Sequence, residues 1–158
     1  DPLAALDALT STGAQRFKFD LDSDGQTDEI NFVTGGSGFL ALDRNGDGKI
    51  NNGAELFGAK SGDGFAELAT LDSDNNGWID ENDAAYEKLS VWTKDSTGKD
   101  QLSTLKEANV GAISLARVAT PFELKDSQND QQGEIRATGI YLREDGAAGT
   151  IQQIDLTV

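Results

Sequence analysis

The chain has 158 residues, with 28 acidic against 13 basic side chains and a formal net charge of −15. Such a surface repels nucleic-acid phosphates and anionic lipid, so neither a nucleic-acid partner nor direct membrane insertion is expected. Cys and His are absent, which excludes disulfides, thiolate nucleophiles, Ser-His-Asp catalysis and the usual zinc ligands. A domain without disulfides needs another staple, and a bound metal is the expected one. Met is absent too, even at position 1, so a fragment or processed product of a longer chain is expected.

Residues 1–15 are weakly patterned; Leu3, Leu6 and Leu9 suit a short helical turn or an extended arm. Residues 16–20 alternate Phe17 and Phe19 with polar residues, and 29–33 alternate likewise, so both read as strands. Residues 34–38 read as a turn and 39–42 as a short apolar strand. Residues 54–57, 65–71 and 83–89 read as short helices, 90–93 as extended, and 103–108 as a helix capped by Ser103. Residues 112–118, 133–143 and 151–158 are strand-like, with a hairpin turn at 144–149. The expected architecture is α+β. EF-hand-like calcium loops with short helices span about 16–100, packed with a small antiparallel β-sheet or hairpin at the C-terminal end, as one module over 1–158.

Three stretches repeat one pattern, with oxygen-bearing residues at loop positions 1, 3, 5 and 9 and Gly at position 6. That spacing wraps a chain around one hard cation. In 72–83, Asp72, Asp74 and Asn76 offer side-chain oxygens and Trp78 its carbonyl. Asp80 binds directly or through water, and Asp83 stands at position 12, where a bidentate Glu is usual. Its predicted flanking helices suggest an EF-hand. In 43–55 the ligands are Asp43, Asn45, Asp47, the Lys49 carbonyl and Asn51. Ala54 at position 12 cannot bind, so Glu55 at position 13 is the expected substitute, with Gly53 allowing a one-residue bulge. In 20–31 they are Asp20, Asp22, Asp24, the Gln26 carbonyl and Asp28, with Asn31 or Glu29 last. Two or three Ca²⁺ ions are expected. Ile50 and Ile79 share loop position 8, which predicts a short antiparallel bridge between the second and third loops. Residues 95–100 and 126–130 read as ordinary polar turns.

The runs FLALDRNGDGKINNGAELFG and GFAELATLDSDNNGWIDENDAAYEKLSVW, with LKEANVGAISL and GTIQQIDLTV, resemble a module of very large secreted RTX proteins of Gram-negative bacteria. The resemblance has two branches. One is a calcium-dependent module of giant repeat adhesins. The other is the self-processing module of RTX toxin-like proteins, in which calcium-induced folding promotes cleavage of an Asp-Pro bond and the freed Asp carboxyl can join a Lys amine. The resemblance implies type I secretion, an extracellular or cell-surface location, neighbouring domains of the same large protein as partners, and a monomer.

Asp1-Pro2 stands where the second branch would be cut. The Asp carboxylate could attack its own main-chain carbonyl, forming an anhydride and expelling the prolyl nitrogen. The first expectation is a non-enzymatic structural module that supports or positions adhesion domains, with Asp1-Pro2 processing as the alternative. A calcium sensor is a third class, disfavoured by the lack of the Met-rich surface that sensors expose.

Overall fold

The run Phe39-Leu40-Ala41-Leu42 does not alternate with polar residues because its strand is covered on both faces. Phe39 and Ala41 join a cluster with Phe19, Ile30, Ile50, Leu56, Trp92, Ile135 and Ile154. Leu40 joins Phe57, Phe65, Leu68, Ile79, Leu89, Val91, Ile113 and Ile151 on the other side. In the computed structural model, which describes residues 3–6, 12–33, 38–59, 61–95, 98–125 and 131–156, this strand lies within a large antiparallel sheet.

In chain order the strands are β1 (Leu3–Leu6), β2 (Thr12–Phe19), β3 (Asp28–Val33), β4 (Gly38–Leu42), β5 (Trp78–Asp80), β6 (Leu89–Lys94), β7 (Asp100–Thr104), β8 (Ala112–Lys125), β9 (Gln131–Leu142) and β10 (Ala148–Leu156). The main sheet has eight strands in the order β5-β8-β9-β10-β1-β4-β6-β7, and β2-β3 form a second, two-stranded sheet. Phe19 and Ile30 carry the small sheet onto one core, whereas Phe65 and Leu68 carry a six-residue helix, α1 (Gly64–Ala69), onto the other. Trp92 anchors the first core, with ring centroids 5.1 Å from Phe19 and 5.9 Å from Phe17. The segment 3–6 is an extended arm, with Ala4 opposite both Gln152 and Phe39.

The expected α+β fold with EF-hand helices is overturned: the molecule is mostly antiparallel β-sheet, and α1 is the α-helix among the described residues. The first loop runs from β2 to β3, and the second leaves β4 into a 3-10 turn, Gly53–Glu55. Leu56 is already extended and bridges Ala41. The third loop follows α1 but exits into β5 and a 3-10 turn, Tyr86–Lys88. Leu89 lies opposite Leu42 in β6, so the chain must be extended by that residue, and the stretch before it closes only the 3-10 turn Tyr86–Lys88.

The predicted helix at 103–108 is a single turn. Thr104, not Ser103, caps it, in a reciprocal pair with Glu107: the Glu107 N–H donates to Thr104 Oγ1 at 3.1 Å, and the Thr104 N–H to Glu107 Oε1 at 3.1 Å. Asn109, at φ 61°, ends the turn, and the Val110 N–H returns to the Leu105 carbonyl at 2.8 Å.

The predicted Ile50–Ile79 bridge does not form. Ile79 pairs with Ile113 of β8, and Ile50 lies in the opposite core. The strands expected at 112–118 and 133–143 are present in β8 and β9, the first running on to Lys125 and the second ending at Leu142. That expected at 151–158 is present in β10 as far as Leu156, with 157–158 outside the described residues. The expected turn at 34–38 falls largely outside the described residues, as do Asp1-Pro2 and residues 126–130. Among the described residues, no helix is long and apolar enough to cross a membrane.

Candidate functional site: three copies of one acidic loop

The three loops share one backbone path. In each, the position-1 Asp accepts the position-6 glycine N–H: Gly25 to Asp20 Oδ2 at 3.0 Å, Gly48 to Asp43 Oδ2 at 2.7 Å, and Gly77 to Asp72 Oδ2 at 3.0 Å. The position-3 side chain accepts the position-5 N–H, at Asp22, Asn45 and Asp74. The position-5 side chain accepts the position-7 N–H at 2.8 Å in Asp24, 2.9 Å in Asp47 and 2.8 Å in Asn76. These nested Asx turns tie the side chains of positions 1, 3 and 5 to the same backbone path.

The backbone follows the same rule. Position 6 is left-handed at Gly25, Gly48 and Gly77, and position 4 is left-handed at Ser23 (φ 61°), Gly46 (φ 74°) and Asn75 (φ 56°). The loop pattern in the sequence singles out only the position-6 glycines. The position-4 requirement is legible in the residue types Ser, Gly and Asn, of which Gly and Asn tolerate that region best.

The last residues of the second and third loops face inward. Glu55 is buried; its Oε1 accepts the Arg44 N–H at 3.0 Å and its Oε2 the Asn51 N–H at 2.7 Å. Asp83 is buried too; its Oδ1 accepts the Ser73 N–H at 2.7 Å and its Oδ2 the Asp80 N–H at 3.0 Å. Partial loss of hydration pushes the Asp83 carboxyl up, but the N–H donors of Asp80 and Ser73 and the Ser73 hydroxyl outweigh it, leaving the pKa below its ordinary value.

Two groups of three carboxylates bring oxygens within 4.8 Å of one another: Asp20, Asp22 and Asp24, and Asp72, Asp74 and Asp83. Loss of hydration and then the charges of Asp24, Asp28 and Asp20 raise the Asp22 pKa. Loss of hydration, a hydrogen bond with Asp72 and the charges of Asp83 and Asp72 raise that of Asp74. In the second loop, Asn45 and Asn51 separate the acids, and Asp47 is lowered by the Lys49 N–H and the Asn51 amide. Asp80 stands beside its group, with Oδ1 accepting the Asn82 N–H at 2.9 Å and Oδ2 the Asn76 amide at 3.2 Å. Asp28 begins β3 opposite Phe19, while Glu29, the rival last ligand of the first loop, is exposed.

Gln26, Lys49 and Trp78 hold position 7 of their loops. Trp78 is half-buried and opens β5 opposite Ser114. The stretch after β6 is a turn closed by the Asp95 N–H on the Lys99 carbonyl and the Lys99 N–H on Asp95 Oδ1, as an ordinary hairpin connection requires.

Donor chemistry fits a hard divalent cation: each of the two groups offers three carboxylates and so oxygen donors. Three copies of one Asp-rich loop on an antiparallel β-framework define the class of protein. The model of the SPM domain family, the self-processing module of RTX-type proteins, matches residues 7–157, and the chain belongs to that family. It is also similar to the iron-regulated protein FrpA of Neisseria meningitidis serogroup C, at 34% identity over 134 residues. That match covers 73% of this chain and 12% of FrpA, so the chain spans a small part of the length of that relative.

Proposed function

We propose that this chain is a calcium-stabilised structural module of a large secreted RTX-type protein, folding on extracellular Ca²⁺ to support or position neighbouring domains. The observation that carries the reading is the repeated loop, which in its first and third copies gathers three carboxylates within 4.8 Å. Such groups repel one another until a cation joins them. Asp20, Asp22, Asp24 and Asp28 would hold one ion, Asp43, Asn45, Asp47, Asn51 and Glu55 a second, and Asp72, Asp74, Asn76, Asp80 and Asp83 a third. The position-7 carbonyls of Gln26, Lys49 and Trp78 complete the sets.

An ion that binds only the folded chain stabilises it by RT ln(1 + [L]/Kd), about 2.7 kcal/mol per independent site at 100 times Kd. Three such sites rival the whole stability of a typical domain, ~5–15 kcal/mol. Where Ca²⁺ is scarce the chain stays loosely folded, as export requires; where it is plentiful the chain closes. Chelation with EGTA is expected to lower the melting temperature and weaken the β-sheet circular dichroism signal. Unchanged melting and spectrum would sink the reading.

A second reading is favoured by the family itself: calcium-dependent cleavage of the Asp1-Pro2 bond. Leu3–Leu6, just downstream of that bond, form β1, held between β10 and β4, so folding would restrain the chain there. A chain carrying further residues ahead of Asp1 tests this. Calcium-dependent loss of the upstream piece, abolished by Asp1→Asn, supports processing; an intact chain under those conditions excludes it.

A further inference from the structure

We infer that the first and second loops take up Ca²⁺ as a coupled pair, joined through a seam of Ser23, Asn52 and Gly53, while the third loop acts apart. The inference rests on the calcium reading above and adds to it which sites communicate. Asp20, position 1 of the first loop, forms a parallel bridge with Asn52, and its carbonyl accepts the Gly53 N–H at 2.8 Å. Ser23, at the strained position 4, donates its hydroxyl to Asn52 Oδ1 at 3.2 Å and accepts the Ala54 N–H at 3.0 Å. Ala54 directly precedes Glu55, which closes the second loop.

The seam has no slack. A Cβ on Gly53 would lie 1.6 Å from the Leu21 carbonyl oxygen, so the two backbones touch. A small contraction of residues 20–24 around an ion must therefore move residues 52–54, and with them the Glu55 carboxylate. The cores repeat the link: Phe19, which enters the first loop, shares a cluster with Ile50 and Leu56, which flank the close of the second. The third loop leans elsewhere. Its Gly77 carbonyl accepts the Leu115 N–H at 3.0 Å, Trp78 and Ile79 pair with β8, and Ile79 belongs to the opposite core.

Coupling of this kind is reciprocal and typically amounts to roughly 5–150-fold in affinity. Folding links all three sites in common, so the seam is read as an excess over that background. The position-6 amides of Gly25, Gly48 and Gly77 each donate to their own loop's first Asp, which makes them separate NMR reporters during titration of the full chain with Ca²⁺. Asp43→Asn is expected to raise the half-saturating Ca²⁺ at Gly25 roughly fivefold or more beyond the change caused by Asp72→Asn. Asp20→Asn should do the same to Gly48. Ser23→Ala, an exposed substitution, should leave all three reporters able to saturate yet reduce that excess. Equal effects of Asp43→Asn and Asp72→Asn on Gly25, with all sites binding, would overturn the coupling alone. No Ca²⁺-dependent shift at any reporter would overturn the calcium reading and the coupling with it.

Discussion

Glu55 and Asp83 make the same pair of hydrogen bonds in loops that differ in length by one residue. Each buried carboxylate accepts the backbone N–H of loop position 2, Arg44 or Ser73, and that of position 9, Asn51 or Asp80. Asp83 does so from position 12 and Glu55 from position 13. The extra methylene of Glu and the 3-10 turn at Gly53–Glu55 together bring the second carboxylate to the equivalent place. The side-chain length at each closing position is therefore part of the loop design.

Swapping those lengths should break the closures. Glu55→Asp leaves the carboxylate a methylene short, and Glu55→Ala leaves the Arg44 and Asn51 N–H groups without their acceptor. An unsatisfied part-buried donor costs about 1–3 kcal/mol, and each kcal/mol lowers the melting temperature of a domain this size by roughly 2–4 °C. Thermal melts in saturating Ca²⁺ should place Glu55→Ala several degrees below the parent, with Glu55→Asp between them. A Glu55→Asp variant melting with the parent would show that reach is not what matters.

Asp74 and Asp83 should respond oppositely to neutralisation when Ca²⁺ is withheld. The Asp74 pKa is raised, so its charged form is disfavoured in the fold and Asp74→Asn removes repulsion. The Asp83 pKa is lowered from the ordinary 3.8 by its N–H donors. Its support is complete above that ordinary value and fades as pH falls through the lowered one. In EGTA near neutral pH, Asp74→Asn is expected to melt at or above the parent and Asp83→Asn below it. With Ca²⁺ restored, both should lose stabilisation. Urea unfolding in the two conditions measures all four differences, and the same sign for both variants without Ca²⁺ would contradict the assignment.

How much of the molecule is legible in its sequence follows from how local each feature is. The loop pattern is readable because nested Asx turns are made within a few residues, and Glu55 stands out because Ala54 cannot serve. The helices expected at 54–57 and 83–89 do not form although both stretches have helical composition. Their ends are fixed by distant pairings, Leu56 to Ala41 and Leu89 to Leu42. Periodicity cannot reveal that β4 is buried on both faces, nor that β1 fills the place between β10 and β4. The Ile50–Ile79 expectation fails for the same reason. Shared loop position does not determine which strand a residue pairs with, and β8 takes Ile79.

Two loop glycines should fail for different reasons. Gly77 has φ 81°, and a methyl added there would meet nothing within 4 Å, so Gly77→Ala meets backbone strain alone and should cost about 1 kcal/mol. Gly53 has no such strain, but its methyl would overlap the Leu21 carbonyl at 1.6 Å. Gly53→Ala must separate the first and second loops and should cost more, at or above the roughly 1–3 kcal/mol of an overpacked core. Chemical denaturation of both variants in Ca²⁺ gives the order; a milder effect at Gly53 would mean the seam yields freely.

Gln152 and Gln153 are adjacent, both buried, and should behave in opposite ways. Gln153 accepts the Gly64 N–H at 3.1 Å and donates to the Gly62 carbonyl at 2.8 Å, pinning the start of α1 to β10. Gln152 faces the other way along the strand. Its amide reaches Thr138 Oγ1 at only 3.3 Å, and its Oε1 is buried without a hydrogen-bond partner. Replacing a satisfied buried amide by a thioether of similar size strands two backbone groups, whereas replacing a half-satisfied one removes a standing penalty. Gln153→Met is therefore expected to lose about 2–4 kcal/mol, and Gln152→Met to be neutral or stabilising. Melting curves of the two single variants in saturating Ca²⁺ decide the matter, and a Gln152→Met variant as damaged as Gln153→Met would mean that Gln152 has a role its contacts do not reveal.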